Sequence, residues 1–412
     1  MRIYQKIIIN GGKIMIKFIH TADIHADGNP ESYRKLESSL KEMLEFVKDR
    51  NIDFILISGD VWDKQQTFNG KSGVTLIIEY LTKLSELVKN IFIVKGNNHH
   101  DNEGSISLLH QLRKNIYAYE KPAMLAVDSL NSVYDLLNGE NPPEDPQHIV
   151  TLIPYPTKAG LIDKLPQTNI DVTNVDVADI ISELFRAIGF IREQYEHTPH
   201  ILSFHGTITG SKLSNGQPAI GQELKFSSEQ LELAKANYYA LGHIHLRQEI
   251  IPNMLYSGSL YNCNWGETEK KSFELVTIEN GVTIHEPVYL NAKPMVKLDG
   301  GIKNGEIFFS NLESEIQEAV NSQVRINLNI GEDERKAINV HELKERLIKQ
   351  FGEDITLNIN TIPKIRETRS EEIINAKSME EEVKAFAKSI GFEITEEHLK
   401  ELFAIEEAVK TK

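Results

Sequence analysis

Residues 52–60 have the sequence IDFILISGD, in which a short apolar run ends in a glycine and a carboxylate. Residues 16–25 (IKFIHTADIH) and 91–97 (IFIVKGN) have the same form, with polar side chains directly after an apolar run. Short runs of β-branched and aromatic residues without polar alternation are typical of strands that are buried on both faces. We predict such strands at residues 16–19, 52–57, 91–94, 149–153, 201–204 and 238–241.

Amphipathic segments separate these strands. Residues 33–48, 74–88 and 178–195 place apolar side chains at helical spacing. Residues 255–289 add a closing antiparallel set, with Asn280-Gly281 as a tight turn. Alternation of strands and helices on this scale predicts a layered α/β sandwich from residue 15 to residue 290.

The rest of the chain divides into three predicted segments. Residues 1–14 form an N-terminal extension before the first strand. Residues 291–365 alternate strand and helix signals, which predicts a small αβ domain. Residues 366–412 carry no strand signal and contain two charged amphipathic helices, the first capped by Ser378.

Composition limits the classes of function. The 412 residues include 45 Lys and Arg against 60 Asp and Glu, a net charge of −15, which argues against a protein that coats nucleic acid by bulk positive charge. A nucleic-acid enzyme is still allowed, since bound metal ions supply a local positive field. The single cysteine, Cys263, permits no internal disulfide and favours a reducing, cytoplasmic setting. No apolar run approaches the ~18 residues of a membrane span, so we expect no membrane association.

Five short motifs each follow a predicted strand. In an open α/β sheet, side chains at the carboxyl ends of strands converge on one edge. Two carboxylates, an amide and four imidazoles, without a thiolate, suit a pair of divalent transition ions such as manganese, iron or zinc. Each motif alone is more often a turn or a buried polar group, and only their joint placement favours a metal site. The motifs are Asp23-Ile-His25, Gly59-Asp60, Gly96-Asn97, His205-Gly206 and Gly242-His243-Ile-His245.

The residue types suggest how two ions would be held. Asp60 is suited to bridge them, because one carboxylate offers an oxygen to each ion. Two divalent ions beside two carboxylates leave a positive charge that attracts phosphate despite the acidic composition. We expect one ion to be completed by Asp23, His25 and His245, and the other by Asn97, His205 and His243.

The order of the motifs resembles that of the calcineurin-like metallophosphoesterases, whose pattern is DxH, GD, GNH, H and GHxH. The flanking sequences HTADIH (20–25), SGDVWD (58–63), ALGHIH (240–245) and YSGSL (256–260) are similar to those of the SbcD family. Residues 294–363, with VRINLNI and VHELKERL, are similar to the capping domain of that family. The resemblance covers residues 15 to 365 and implies that 291–365 form a capping domain.

The resemblance also implies an activity and partners. The SbcD family provides the nuclease subunit of a DNA double-strand-break repair complex, with two divalent ions, typically manganese. It implies exonuclease activity on duplex ends and endonuclease activity on single strands or hairpins. An SbcC-type ATPase controls access to duplex DNA, and a homodimer of the nuclease lies within a heterotetramer. Residues 366–412 would then dock on the ATPase; the alternative is that they fold back onto the capping domain.

One motif departs from the family. Its pattern is G-N-H-D, in which the asparagine binds a metal and the next histidine protonates the leaving oxygen, whereas residues 96–101 are GNNHHD. Either Asn97 is the ligand and His99 or His100 reaches the site across an insertion, or Asn98 is the ligand and His99 follows it. We expect His99 first and His100 second as the catalytic acid, and both asparagines remain candidate ligands. The alternative is that both histidines are merely solvated.

Three functions therefore remain open. The first is a metal-dependent DNA nuclease of the SbcD type. The second is a metallophosphoesterase that acts on nucleotides or phosphoproteins. The third is a catalytically weak scaffold for a partner ATPase, which only the altered GNNHHD motif supports.

Overall fold

The computed structural model describes residues 15–63, 72–142, 145–156, 177–214, 224–303, 305–320, 322–363 and 371–410. The predicted extension at residues 1–14 lies outside them. By internal contacts the chain divides into two units. The first comprises residues up to Lys297 with Glu313–Arg325 and Gln350–Ile355, and the second comprises Leu298–Leu312, Ile326–Lys349 and Thr356–Lys412.

Nineteen strands lie in the described residues. They are β1 (Met15–Thr21), β2 (Phe54–Ser58), β3 (Asn90–Val94), β4 (Ile116–Tyr119), β5 (Ala123–Val127), β6 (Val133–Asp135), β7 (His148–Ile153), β8 (His200–His205), β9 (Thr207–Ile208), β10 (Lys225–Phe226), β11 (Tyr238–Gly242), β12 (Gln248–Ile251), β13 (Met254–Tyr256), β14 (Ser272–Glu279), β15 (Val282–Tyr289), β16 (Met295–Lys303), β17 (Glu306–Phe309), β18 (Gln323–Gly331) and β19 (Ile355–Ile362).

Ten α-helices accompany them, with two short 3-10 helices at Ser107–Gln111 and Leu136–Asn138. The α-helices are α1 (Pro30–Lys48), α2 (Gly73–Ser85), α3 (Val177–Glu193), α4 (Ser228–Glu232), α5 (Glu313–Glu318), α6 (Glu332–Ala337), α7 (Val340–Phe351), α8 (Glu371–Ile374), α9 (Met379–Ser389) and α10 (Glu396–Lys410).

Two large sheets form the first unit. One has six strands in the order β15-β14-β1-β2-β3-β4, and the other has seven in the order β12-β13-β11-β8-β7-β5-β6. β1, β2, β3 and β4 run parallel, as do β7, β8, β11 and β13, while β14 and β15 close the first sheet in antiparallel pairing. The six predicted strands and the three predicted helices of this region are all present, with ends shifted by a few residues.

Alternation along each buried strand builds three apolar layers. In β2, Phe54 and Leu56 face the space between the sheets, whereas Ile55 and Ile57 face the layer of α1 and α2. Between the sheets the rings of Phe18 and Phe54 stack with centroids 4.5 Å apart. α3 and α4 cover the outer face of the second sheet. Complete burial of one such side chain stabilises the fold by about 1.5–3 kcal/mol. The predicted layered α/β sandwich is confirmed.

The second unit carries most of a four-stranded sheet with the order β17-β16-β18-β19. The helix and strand predictions for residues 312–362 correspond to α5, β18, α7 and β19. Ser378 caps α9 by accepting from the Glu381 N–H, and Gly391, with φ of 74°, follows its end. Whether residues 291–365 act as a capping domain stays a prediction.

No helix in the described ranges is both long enough and apolar enough to cross a bilayer.

Candidate metal centre

The loops after β1 and β2 are joined by backbone hydrogen bonds. Asp23 N–H donates to Gly59 O at 3.0 Å, and His25 N–H donates to Asp60 O at 3.0 Å. Asp23, His25 and Asp60 have φ of 51°, 46° and 50°. Left-handed backbone costs a residue with a side chain roughly 1–2 kcal/mol, and such strain is concentrated at functional sites. Three predicted ligands therefore occupy conformations that packing alone would not select.

Glycines in the motifs allow the ends of the strands to approach each other closely. A Cβ on Gly59 would lie 2.1 Å from His205 Nδ1, and one on Gly96 would lie 2.0 Å from Asp60 Oδ1. A Cβ on Gly242 would lie 1.8 Å from Ser58 O. No side chain fits in such gaps. The glycine in each of the GD, GN and GH pairs is thus required by the packing of the polar groups around it.

Asp60 lies at the centre of one group of donors and is almost fully buried. Asn97 donates to both of its oxygens, from N–H to Oδ1 at 2.9 Å and from Nδ2 to Oδ2 at 2.8 Å. His205 Nε2 lies 3.3 Å from Asp60 Oδ2. Because Ser58 O accepts a hydrogen bond from His205 Nδ1 at 2.7 Å, the opposite nitrogen of that ring faces Asp60. Ligand atoms of Asp60, His205 and His243 all lie within 4.8 Å of one another.

A second group contains His25, His245 and Asp23. The two Nε2 atoms of His25 and His245 are 2.8 Å apart. Asp23 Oδ1 accepts from the His243 N–H at 2.8 Å, while Oδ2 is buried and has no hydrogen-bond partner. Ligand atoms of Asp23, His25 and Asp60 also lie within 4.8 Å of one another, so the two groups share Asp60.

These donors fit a pair of divalent ions. At a metal–nitrogen distance of ~2.1 Å, neighbouring ligands of one ion lie about 3 Å apart, which is close to the spacing of the two histidine nitrogens. An orphaned buried carboxylate oxygen is costly unless a cation or a hydrogen bond compensates it, and Asp23 Oδ2 has no such hydrogen bond. The donor set and its spacing therefore match the predicted ligands, although their role as ligands remains a proposal.

Electrostatic coupling within the cluster is strong. Burial acts to lower the pKa of His205, but the charge and hydrogen bond of Asp60, with Asp23, raise it to about 9. Burial raises the pKa of Asp60, but His205 and His25 outweigh burial and hold it below its ordinary value. Burial, followed by the neighbouring His245, lowers the pKa of His25 to about 3. Opposite charges are thus fixed in contact at a buried position.

The structure separates the residues of the GNNHHD motif. Asn97 contacts Asp60, whereas Asn98 is exposed and its Oδ1 accepts from Lys95 Nζ at 2.6 Å. His99 is exposed, and its backbone N–H donates to Asn97 Oδ1. His100 is half-buried, with its ring centroid 4.4 Å from that of His25.

A turn after Asn97 explains this separation. The N–H groups of His100 and Asp101 both donate to Asn97 O, at 3.1 and 2.8 Å. Asp101 is buried and accepts from the N–H groups of Gly96 and Trp62. Since both ends of the segment are anchored, Asn98 and His99 project into solvent and His100 returns towards His25. The structure brings together Asn97 and His100 with the other predicted site residues, and leaves Asn98 and His99 outside the cluster.

The sequence interpretation missed three residues next to the cluster. Asp63 lies 3.2 Å from His100 Nδ1, and Glu267 Oε1 accepts from His245 Nδ1 at 2.7 Å. Cys263 forms a group with His25 and His245. Asp63 lies within the SGDVWD sequence that the prediction already used, so its neighbourhood signalled it. Glu267 and Cys263 lie in a loop beyond the motifs, and no local pattern distinguishes them.

The fold and this donor cluster define a metal-dependent phosphoesterase. Residues 16–247 match the profile of the family described as calcineurin-like phosphoesterase, which is more than half of the chain. The protein belongs to the calcineurin-like phosphoesterase family, and its activity is hydrolysis of phosphoester bonds.

Two proteins of Bacillus subtilis (strain 168) are similar to this chain. The SbcD subunit of the nuclease SbcCD is 27% identical over 306 residues, which cover 68% of this chain and 72% of the relative. The uncharacterized metallophosphoesterase YhaO is 22% identical over 286 residues, which cover 66% of this chain and 59% of the relative.

Two solved structures are similar at lower levels. A dimetal phosphatase from Danio rerio has a TM-score of 0.38 and 10% identity, covering 66% of this chain and 99% of its own. A Vps29 single mutant from Entamoeba histolytica has a TM-score of 0.24 and 11% identity, covering 67% of this chain and 100% of its own. Similarity this low carries no information about function.

Proposed function

We propose that the protein is a metal-dependent DNA nuclease, the phosphodiesterase subunit of an SbcCD-like repair complex. The observation that carries the chemistry is the buried cluster centred on Asp60, which joins the loops of both sheets and includes an uncompensated oxygen of Asp23. DNA as the substrate is supported by the SbcD-like sequences around the motifs and by the relative named as a nuclease.

The proposed ligands divide as the sequence predicts. Asp60 bridges, and Asp23, His25 and His245 hold one ion, while Asn97, His205 and His243 hold the other. Two bound divalent ions, manganese by resemblance to the family, supply a nucleophile from water and stabilise charge on the phosphorus oxygens. Asn97 is preferred to Asn98 as the ligand, because only Asn97 touches Asp60.

His100 is the proposed donor of a proton to the leaving oxygen. Its ring lies against His25, and Asp63 holds its Nδ1 side at 3.2 Å. The carboxylate stabilises the protonated imidazole, as an acid in catalysis requires. His99, which the sequence favoured, is exposed and makes its described contact with the cluster through its backbone.

Residues 366–412 are the proposed contact with an SbcC-like ATPase. Phe386, Ile390 and Leu402 are 57%, 62% and 42% exposed on α9 and α10. Exposed apolar side chains on neighbouring helices suit a partner's apolar groove. Homodimerisation of the nuclease and a capping role for residues 291–365 belong to the same proposal and rest on the family resemblance.

Hydrolysis of defined substrates tests the proposal. The full-length protein is incubated with manganese and a labelled DNA hairpin, a duplex and a single strand, beside bis-p-nitrophenyl phosphate and p-nitrophenyl phosphate. We expect cleavage of the hairpin and single strand and of the diester, with chelator and the Asp60→Ala variant as inactive controls. Strong hydrolysis of the monoester with intact DNA indicates the nucleotide or phosphoprotein enzyme instead. Inactivity on every substrate with two ions bound indicates the scaffold.

The partner proposal has its own experiment. The Phe386→Asp and Leu402→Asp variants are co-expressed with the ATPase, and Ile362→Asp, which is also at an exposed apolar position, is the matched control. We expect the first two to lose co-purification, because each places an unpaired charge in an apolar contact. Stoichiometric co-purification of both variants contradicts the docking proposal.

A further inference from the structure

The loop at residues 261–267 places the only cysteine of the chain beside the metal centre. Donor atoms of Cys263, His25 and His245 all lie within 4.8 Å of one another. The cysteine side chain hydrogen-bonds to His245. It is partly buried, and its Sγ lies 3.5 Å from Tyr261 O. A small rotation of the thiol is therefore sufficient to turn the sulfur towards the two histidine nitrogens.

The loop is attached to both histidines. Tyr261 OH donates to His25 O at 2.8 Å. Glu267 accepts from His245 Nδ1 through Oε1 and from the Cys263 N–H through Oε2, at 2.7 and 3.1 Å. One buried carboxylate thus fixes the ring of His245 and the backbone of Cys263 together. The position of the sulfur relative to the two imidazoles is set by these bonds rather than by the free movement of a surface loop.

An independent observation shows that this position takes a cation. Asp23 Oδ2 is fully buried, has no hydrogen-bond partner and lies with His25 in the adjoining group of donors. The Nε2 atoms of His25 and His245 face each other at 2.8 Å. Nitrogen, oxygen and sulfur donors thus surround the same point.

We propose that Cys263 is a ligand of the ion held by His25 and His245, and that its thiolate makes this position prefer zinc or another thiophilic ion to manganese. This rests on the metal centre of the proposed function and adds a donor that the family motifs do not contain. The thiol releases its proton to solvent as the sulfur–metal bond forms. Carboxylate ligands suit manganese, whereas a soft thiolate beside imidazoles selects zinc.

Cobalt(II), a spectroscopic substitute for zinc, tests the sulfur–metal bond directly. The metal-stripped full-length protein is loaded with cobalt(II), and its near-ultraviolet spectrum is recorded without DNA. We expect a sulfur-to-cobalt charge-transfer band in the wild type and in Thr268→Ser, an exposed position of the same loop region, and its loss in Cys263→Ser. A wild-type spectrum without the band, at two cobalt ions per chain, overturns the proposal.

Alkylation of the wild-type protein tests the same bond without any substitution. Because the chain has one cysteine, iodoacetamide labelling measured by mass spectrometry reports Cys263 alone. Zinc should slow labelling by about tenfold or more, since a metal-bound thiolate is withdrawn from reaction, and manganese should slow it less. Equal rates with and without zinc contradict the proposal.

Metal competition measures the selectivity. Cys263→Ser should weaken zinc binding by roughly 10–100-fold and change manganese binding much less. An unchanged ratio of zinc to manganese affinity contradicts the proposed preference. None of these measurements uses DNA, so a protein that shows the sulfur–cobalt band but cleaves no DNA fails only the nuclease proposal.

Discussion

Imidazoles are buried in two regions of the first unit, and the two regions use them differently. At the ends of the strands, His25 and His205 are buried among carboxylates and further histidines. Within the sandwich, His148 and His200 are buried as deeply, but they lie inside β7 and β8. Burial therefore does not distinguish a candidate ligand from a packing residue.

The contacts of the rings make the distinction. His200 Nε2 is paired with the Thr151 hydroxyl at 2.8 Å, and His148 stacks on Phe54 with ring centroids 4.9 Å apart. Burial, with the nearby charge of Arg192, lowers the pKa of His200 to about 3, which is as low as that of His25. A low pKa is thus common to both regions. What the strand ends add is the convergence of several donor atoms and the left-handed backbone that carries them.

Removing the shared carboxylate should have the largest effect. Asp60→Ala deletes the one side chain that belongs to both donor groups, so we expect fewer than two ions per chain and cleavage reduced by at least about 10³-fold. Elemental analysis and the diesterase assay measure the two effects. Asp49→Ala, at an exposed position after α1, is the matched control and should leave both unchanged. Two bound ions with normal activity in Asp60→Ala refute the assignment.

The adjacent histidines of the GNNHHD motif provide a paired test. His100→Ala should lower turnover by about 10²–10⁴-fold with metal content unchanged, because a positioned acid is lost. His99→Ala, at an exposed neighbouring position, should leave turnover near normal. The reverse result would restore the register in which His99 is the acid.

A carboxylate behind a candidate ligand should matter less than the ligand itself. Glu267 holds His245 through Nδ1, and its pKa falls to about 2 because His245 and Lys271 outweigh burial. Glu267→Gln should weaken metal binding by about 10–100-fold, as loss of an outer-sphere partner usually does. Isothermal titration with zinc measures the change, and exposed Glu286→Gln is the control. Unaltered affinity would show that His245 is oriented without Glu267.

The smallest effect is expected in the interior region. Burial lowers the pKa of His148 to about 4, so between pH 6.5 and 4 the unfolded chain binds a proton that the folded chain does not. The free energy of unfolding therefore falls with pH, by about 1–2 kcal/mol at pH 5 from this residue. His148→Leu should remove that loss, whereas exposed His197→Leu should not. Urea unfolding at pH 7 and pH 5 compares them, and parallel losses in wild type and His148→Leu contradict the prediction.

The sequence predicted the parts of this molecule that follow from local pattern. β2 was predictable because a continuous apolar run meets Gly59-Asp60, and the rule for strand ends brought the motifs to one edge. β5 was not predicted, although Ala123–Val127 is fully buried, because a short apolar run does not show to which sheet it belongs. Its antiparallel pairing with β7 depends on contacts that only the complete sheet creates.

The candidate site was predictable to the same depth. Residue types and spacing were sufficient for Asp23, His25, Asp60, His205, His243 and His245. The choice between His99 and His100 depends on the turn held by Asp101, whose partners Gly96 and Trp62 come from two loops. Glu267 lies 22 residues beyond His245, so its role depends on how the intervening chain returns.

The hydrogen bond from His205 Nδ1 to Ser58 O spans 147 positions of the chain, and the His25–His245 contact spans 220. During synthesis the first sheet's strands emerge long before their partners in the second sheet. A nascent chain that ends before residue 245 lacks half of each donor group, and no single early segment gathers the ligands. Metal uptake should therefore come after the two sheets have packed and cannot direct that packing. For a hydrolase this order is protective, because a partly made chain carries no competent centre.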